Sequence, residues 1–330
     1  MKELLKRLTE AYGPSGREGP VRRLIQEEIE PYVDSMEVDA LGNLIARKGS
    51  GDKRVMLAAH MDQIGLVVTE ADKKGFLRVH NVGYLRRPYA LGCLVRFENG
   101  LRGVVAREVE RDDPADMSLG KLFVDIGASS REEALERVPI GDMAVLEPQW
   151  AELGNGCVAA GALDDRAGCA MLIQTLKELG PCPCQVVAAF TTQEEVGLRG
   201  AKAAGYQVDP ALCLALDVTL TGDTPKAERL PIGLGKGIAI KVMDSSVICA
   251  PQLVAQLEQT AQQAGIAWQR EVLTHGGTDA GAVHVSRAGV PSGALSIPCR
   301  YTHSACEVVS LADIQAGVDL LTAWLSQGQR

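Results

Sequence analysis

Two of the five histidines stand among carboxylates at the ends of apolar runs. His60 and Asp62 close the segment VMLAAHMD, and an i, i+2 spacing on a strand turns both side chains to one face. An aspartate so placed can orient a metal-bound imidazole through the ring's second nitrogen. Asp164 and Asp165, in GALDDRAG, lie just before a helical pattern, and Glu194 and Glu195, in FTTQEEVG, lie just after a buried-strand pattern. Adjacent like charges at such ends repel one another and need solvent or bound cations to compensate them. Asp217 follows the apolar run LCLAL, and His303, in IPCRYTHSA, again comes just past a β-like run. Alone, each feature is what a solvated turn looks like. Together, His60, Asp164, Glu194, Glu195, Asp217 and His303 project from one expected edge, and in open α/β sheets ligands gather beyond the carboxyl ends of the strands.

Imidazole and carboxylate donors without thiolates suit a catalytic metal site that keeps a position open for water, with zinc, cobalt and manganese all chemically compatible. Five ligands, one of them a carboxylate able to bridge, fit two metals better than one, and a paired site can hold hydroxide between the ions. The remaining acid fits a general base.

The elements that must position these residues are read from periodicity. Helices are expected over 2–12 and 17–30, broken by Gly13-Pro14-Ser15-Gly16, and strands over 36–47 and 54–62. From about 66 to 158 the signals are short apolar strands separated by turns, with one helix at 130–137. Beyond Asp165 strands and helices alternate: helix 166–179, strands 185–192 and 212–218, helix 251–265, strand 294–298 and helix 311–325. Alternation of this kind predicts an α/β fold with a mainly parallel sheet sandwiched by helices. The catalytic domain is then expected from residues 1–65 and 160–330, with a small β domain, 66–159, inserted between them.

Composition sets the outer limits. A chain of 330 residues, 46% hydrophobic, has ample material for a large core and a second, smaller one. Its net charge of -8 gives no global attraction to nucleic acid. The nine cysteines are odd in number and scattered through apolar runs, which suits reduced thiols and a cytoplasmic location. No apolar run of about 20 residues is present and the N-terminus lacks an export signal, so no membrane partner is expected.

At this point six segments matter together: HMDQIG at 60–65, ALDDRAG at 162–168, TTQEEVGLRGA at 191–201, LDVTLTGDTP at 216–225, HGGTDAG at 275–281 and IPCRYTHSACE at 297–307. In this order, over nearly the whole chain, they resemble the tetrahedral-type (TET) dinuclear aminopeptidases, the glutamyl, leucyl and lysyl deblocking enzymes that form hollow dodecamers. The resemblance implies that Asp164 bridges two divalent metal ions, zinc or cobalt before manganese. It implies that His60 and Asp217 complete one site and Glu195 and His303 the other. Glu194 would be the general base that activates a metal-bridged hydroxide, Asp62 would hold His60, and the insertion would be a dimerisation domain within a dodecamer. The implied substrates are peptides with a free N-terminus. Ser304-Ala305 after His303 and Cys299 between Pro298 and Arg300 depart from the commoner family pattern without altering a presumed ligand. Tyr301 and GGTDAG are expected near the pocket but outside the catalytic set.

Other readings compete. An endoglucanase-type glycoside hydrolase could use paired carboxylates, but 4% aromatics offer few sugar platforms and that chemistry gives His60 and His303 nothing to do. A carboxypeptidase or deacylase on a related fold would share the metal set. A scaffold that has lost activity would be expected to have lost a ligand or Glu194, and none is lost.

Overall fold

The computed structural model describes residues 1–108, 118, 121–227 and 229–328. Two helices, α1 (Lys2–Glu10) and α2 (Gly19–Ile29), lead into strands β1 (Ser35–Val38), β2 (Leu44–Lys48) and β3 (Arg54–His60). The chain then leaves this unit for β4 (Gly65–Ala71), β5 (Leu77–Val82), α3 (Arg87–Ala90), β6 (Leu94–Phe97), β7 (Arg102–Arg107), β8 (Leu122–Asp125), α4 (Arg131–Arg137) and β9 (Met143–Leu146). On its return it forms β10 (Ala151–Glu152), β11 (Cys157–Ala160), α5 (Leu163–Glu178), β12 (Gln185–Thr191), α6 (Arg199–Val208) and β13 (Leu212–Leu220). It ends with β14 (Ile238–Met243), α7 (Pro251–Ala264), β15 (Trp268–Val272), α8 (Asp279–Val283), β16 (Ser292–Arg300), β17 (Glu307–Ser310) and α9 (Leu311–Gln327).

One large sheet has the order β1-β2-β12-β3-β13-β16-β17-β11-β10, with β14 and β15 attached through β16. Its four central strands, β12, β3, β13 and β16, are mutually parallel, and antiparallel strands flank them. Alternation along the central strands explains the two covering layers. Val55, Leu57 and Ala59 of β3 face a core shared with α1, α2, α5 and α9, whereas Met56 and Ala58 face a second core shared with α6 and α8. The predicted α/β sandwich is therefore present, and all four parallel strands deliver their carboxyl ends to one edge.

The inserted segment closes into a six-stranded barrel, β4-β5-β8-β7-β6-β9, around its own core of Leu66, Val68, Val79, Phe97, Val124 and Leu146. It ends earlier than the expected boundary at 159, because β10 and β11 pair in the large sheet and β11 lies beside β17. A four-residue apolar strand reads alike in either unit, and its partner lies about 150 residues further on. Of the predicted insertion, residues 109–117 and 119–120 lie outside the described residues. No helix among the described residues is long and apolar enough to cross a membrane.

Candidate active site

His60 is the last residue of β3, paired in register with Thr191 of β12, and its imidazole is buried. Its Nε2 lies 3.1 Å from Asp164 Oδ1 and 3.9 Å from Asp217 Oδ1. His303, in the turn after β16, places its Nε2 3.2 Å from the other oxygen of Asp164 and 3.3 Å from Glu195 Oε2. One carboxylate thus faces two imidazoles, one per oxygen. The donor atoms of His60, Asp164 and Asp217, and those of Asp164, Glu195 and His303, form two groups, in each of which all atoms lie within 4.8 Å of one another. The structure therefore brings all five predicted ligands together around a shared Asp164.

The turns that carry these residues adopt unusual backbone. Ala162, Gln193, Tyr301 and His303 all have positive φ, between 55° and 63°. Left-handed backbone at non-glycine residues costs free energy and tends to gather where function requires a particular geometry. Buttresses hold these turns. Asp165 accepts the N–H of His60 at 3.2 Å and that of Gly168 at 2.9 Å. A Cβ on Gly168 would come within 2.3 Å of that carboxylate, which explains the glycine. Buried Asn43 accepts the Thr192 N–H at 2.9 Å and donates to the Gly200 carbonyl at 3.0 Å, bracketing the loop that bears Glu194 and Glu195.

Asp62 is fully buried, and its placement differs from a simple histidine orienter. The closest partner of His60 Nδ1 is the backbone carbonyl of Asp62, at 3.1 Å, while the carboxylate lies 3.5 Å away. That carboxylate accepts the Ser15 hydroxyl at 2.6 Å and the backbone N–H groups of Glu194 and Glu195 at 2.9 and 3.2 Å. The loop after α1, legible in the sequence only as a helix break, thus supports the site through Ser15.

The electrostatics show a surplus of negative charge. Burial, reinforced by Asp217, holds the Asp165 carboxyl well above the usual carboxylate range, and burial does the same for Asp217. Burial and the carboxylates of Asp217, Asp279 and Glu195 outweigh the opposing pull of His60 and raise Glu194 likewise. Burial opposes charge on His303, but Glu195 and Asp164 prevail and push it up to about 11. Glu195 Oε1 is buried without a hydrogen-bond partner. Carboxylates crowded in this way are neutralised either by protons or by cations.

The cluster opens into a cavity of about 740 Å³. Its wall beyond Asp217 is formed by Val218, Leu220, Leu273 and Thr278, together with Lys241, whose ammonium lies 2.5 Å from Glu271 and 3.6 Å from Asp244. From the barrel come Tyr84, whose ring meets that of His303 edge-on at 5.8 Å, and Arg86. Sequence reasoning missed Lys241 and Tyr84. Lys241 sits in an apolar strand, where a lone charge could have flagged it, whereas nothing local marks Tyr84. Gly276, Gly277 and Thr278 of the GGTDAG segment line the cavity as expected, and Tyr301 faces a separate shallow recess.

A family profile described as M42 glutamyl aminopeptidase matches residues 42–320. The chain belongs to the M42 family. A chain of Acetivibrio thermocellus is 47% identical to this M42 protein over 321 residues, covering 97% of each. The lysyl aminopeptidase of Pyrococcus furiosus is 36% identical over 338 residues, covering 98% of this chain and 96% of that one. The TET1 peptidase structure of Pyrococcus horikoshii superposes with a TM-score of 0.90 at 35% identity, covering 99% of both chains. This M42 member is accordingly a peptide hydrolase of a metallopeptidase family, and divalent metal ions are implied for it.

Proposed function

We propose that this chain is a two-metal aminopeptidase acting on peptides with a free N-terminus. In this reading His60, Asp164 and Asp217 hold one divalent ion, Asp164, Glu195 and His303 hold the other, and Glu194 is the general base. The observation that carries it is the division of the Asp164 carboxylate between two imidazoles, buried His60 and partly exposed His303, each with a further carboxylate at hand. The residues fit the ions on two grounds: the donors are all imidazole and carboxylate, and Glu195 Oε1 is buried with nothing to bond. That donor set favours zinc or cobalt and tolerates manganese. Sugar cleavage would leave both imidazoles without a task.

Bound there, the ions would supply Lewis acidity and a water whose pKa is about 7 rather than about 15.7. Glu194 stands beside the cluster but belongs to neither triad, so its carboxylate is available to accept one proton. It takes that proton from the attacking water and delivers it to the amine nitrogen as the C–N bond breaks. Oxygen from water remains on the acyl carbon, and the products are a carboxylate and a shortened peptide with a new N-terminus. Asp62 fixes the backbone of the Glu194-Glu195 pair, so the base and its neighbouring ligand keep separate directions.

The barrel is assigned to subunit contact within a homo-oligomer, a dodecamer in the tetrahedral arrangement. Support comes from Leu94 and Val104, a cross-strand pair that is 41% and 40% exposed, and from Ile140, which is 56% exposed. The assembly of the TET1 peptidase into a tetrahedron supports the same reading. Nine free thiols agree with a cytoplasmic setting.

The test uses one aminoacyl p-nitroanilide and its N-acetylated counterpart, each with and without chelator. Cleavage of the free form alone, lost on chelation and restored by zinc or cobalt, is expected. Undiminished cleavage of the acetylated form, or full activity in metal-free protein, would refute the assignment.

A further inference from the structure

Glu307 has no place in the ligand set, yet it is 1% exposed and lies at the seam of the site. It opens β17, which runs between β16 and β11. The strand β16 leads into the turn of His303, and β11 leads through Ala162 to Asp164. Glu307 is paired in register with Ala160, the last residue of β11. It therefore sits where the two chain segments that bear Asp164 and His303 converge.

Its carboxylate is divided between them. Oε2 accepts the backbone N–H of Asp164 at 2.9 Å, and Oε1 accepts the backbone N–H of His303 at 2.7 Å. Both of those residues lie outside regular backbone: Asp164 has φ -78° and ψ 107° within the first turn of α5, and His303 has φ +63°. Such turns have no neighbouring strand or helical carbonyl to set their conformation, so a side-chain acceptor must do it. Because the two accepting oxygens belong to one planar group, the two backbones are held at a fixed separation. The side chains of the same two residues meet, with Asp164 Oδ2 3.2 Å from His303 Nε2, so the backbone spacing bears on that contact.

We propose that Glu307 is a positioning residue that sets the spacing of Asp164 and His303, and thereby the affinity of the metal site formed by Asp164, Glu195 and His303. The proposal rests on the reading of those three residues as ligands. An alternative role, general support of the fold, would weaken everything together; a positioning role weakens one metal site before the other. Glu307→Gln is the informative variant. The amide keeps the shape but offers one acceptor oxygen, and its NH₂ group opposes a backbone N–H that now has no partner. Glu307→Met removes both acceptors without adding a donor.

The experiment measures stepwise cobalt affinities and stoichiometry of the full-length chain by calorimetry and elemental analysis. Wild type, Glu307→Gln, Glu307→Met and Glu195→Gln are compared, each with its melting temperature and oligomeric size recorded. Loss of a supporting partner to a ligand typically costs about 10–100-fold in metal affinity. The expected result is that both Glu307 variants weaken the site of Asp164, Glu195 and His303 by about that factor, as Glu195→Gln does, and weaken the site of His60, Asp164 and Asp217, which shares only Asp164, by clearly less. Activity should recover when cobalt is supplied in excess, with KM nearly unchanged.

Two wild-type affinities in a folded Glu307 variant would overturn the proposal, as would equal weakening of both sites alongside a fall in melting temperature. If neither Glu307 variant folds, the residue is a determinant of the fold and the proposal fails. Failure of the ligand reading is distinguishable, because Glu195→Gln would then also bind two ions with wild-type affinity.

Discussion

The carboxylate of Asp62 accepts the backbone N–H of Glu194 at 2.9 Å, so the residue that begins the site at the end of one strand also fixes the candidate base at the end of the next. A second bond, from the Glu195 N–H at 3.2 Å, and a third, from the Ser15 hydroxyl at 2.6 Å, complete the arrangement. Burial would raise the Asp62 pKa, but His60, Ser15 and the Glu194 N–H outweigh it and keep the group ionised. Asp62→Asn keeps the volume but sets an amide NH₂ against donors. A fall of about 10–100-fold in kcat/KM is expected, and Ser15→Ala should cost only about 1 kcal/mol of stability. Steady-state kinetics and denaturant melts check both, and an Asp62→Asn enzyme with wild-type kcat would show that the loop is held by other contacts.

Metal loading should release protons. In the metal-free chain, burial opposes charge on His60 and His303, but their carboxylate neighbours raise His303 from 6.5 to about 11 and His60 well above its ordinary value. A group raised in the folded state contributes stability that is fully present below its unfolded pKa and is lost as pH rises through its folded pKa. For His303 that window runs from 6.5 to about 11. The melting temperature of chelated protein should therefore fall as pH rises across this range, while metal-loaded protein changes less, because the ions replace the protons. Affinity for metal should tighten over the same range. Scanning calorimetry at several pH values decides the matter, and a metal-free melting temperature that climbs with pH would contradict it.

Assembly is predicted to run through the barrel. Leu94 and Val104 face each other across β6 and β7 with about two-fifths of each residue exposed. Replacing both by Asp adds like charges to that apolar face without touching the barrel core. The double variant should sediment as a smaller species than the wild type and keep its activity toward a p-nitroanilide. A variant that retains the native assembly would move the contact elsewhere.

What could be read in the sequence follows from where the determining contacts lie. The runs VMLAAH and LCLAL signal buried parallel strands through their own composition, and their charged ends point to the site edge. Strand β14 was not legible, because Lys241 interrupts IAIKVM and the nearest carboxylate to its charge is that of Glu271, thirty residues later in β15. Helix α6 was missed for another reason. Its sequence, RGAKAAGYQV, buries Gly200, Ala201, Ala204, Gly205 and Val208, mostly small residues, so no stripe of large apolar side chains marks it. The N-terminal Ser15 and the barrel's Tyr84 reach the site only through tertiary packing. No local pattern could have named them.

The adjacent glutamates supply the sharpest test, since neighbours are assigned different work. Glu195 Oε2 lies 3.3 Å from His303 Nε2 and within the group formed with Asp164, whereas Glu194 belongs to neither group. Both backbones hang from the single Asp62 carboxylate, so a difference between the variants reflects their side chains rather than a loosened loop. Glu194→Gln preserves shape but cannot accept a proton. It should retain nearly all bound metal while kcat falls by at least about 10²-fold, the usual scale for a lost general base. Glu195→Gln weakens a ligand, so metal content should drop and activity should return in part with excess metal. Metal stoichiometry by mass spectrometry beside kinetics on one substrate separates the outcomes, with oligomeric size as the control for folding. If Glu194→Gln sheds metal while Glu195→Gln keeps it, the two roles are exchanged; if both remain fully active, catalysis resides in other residues.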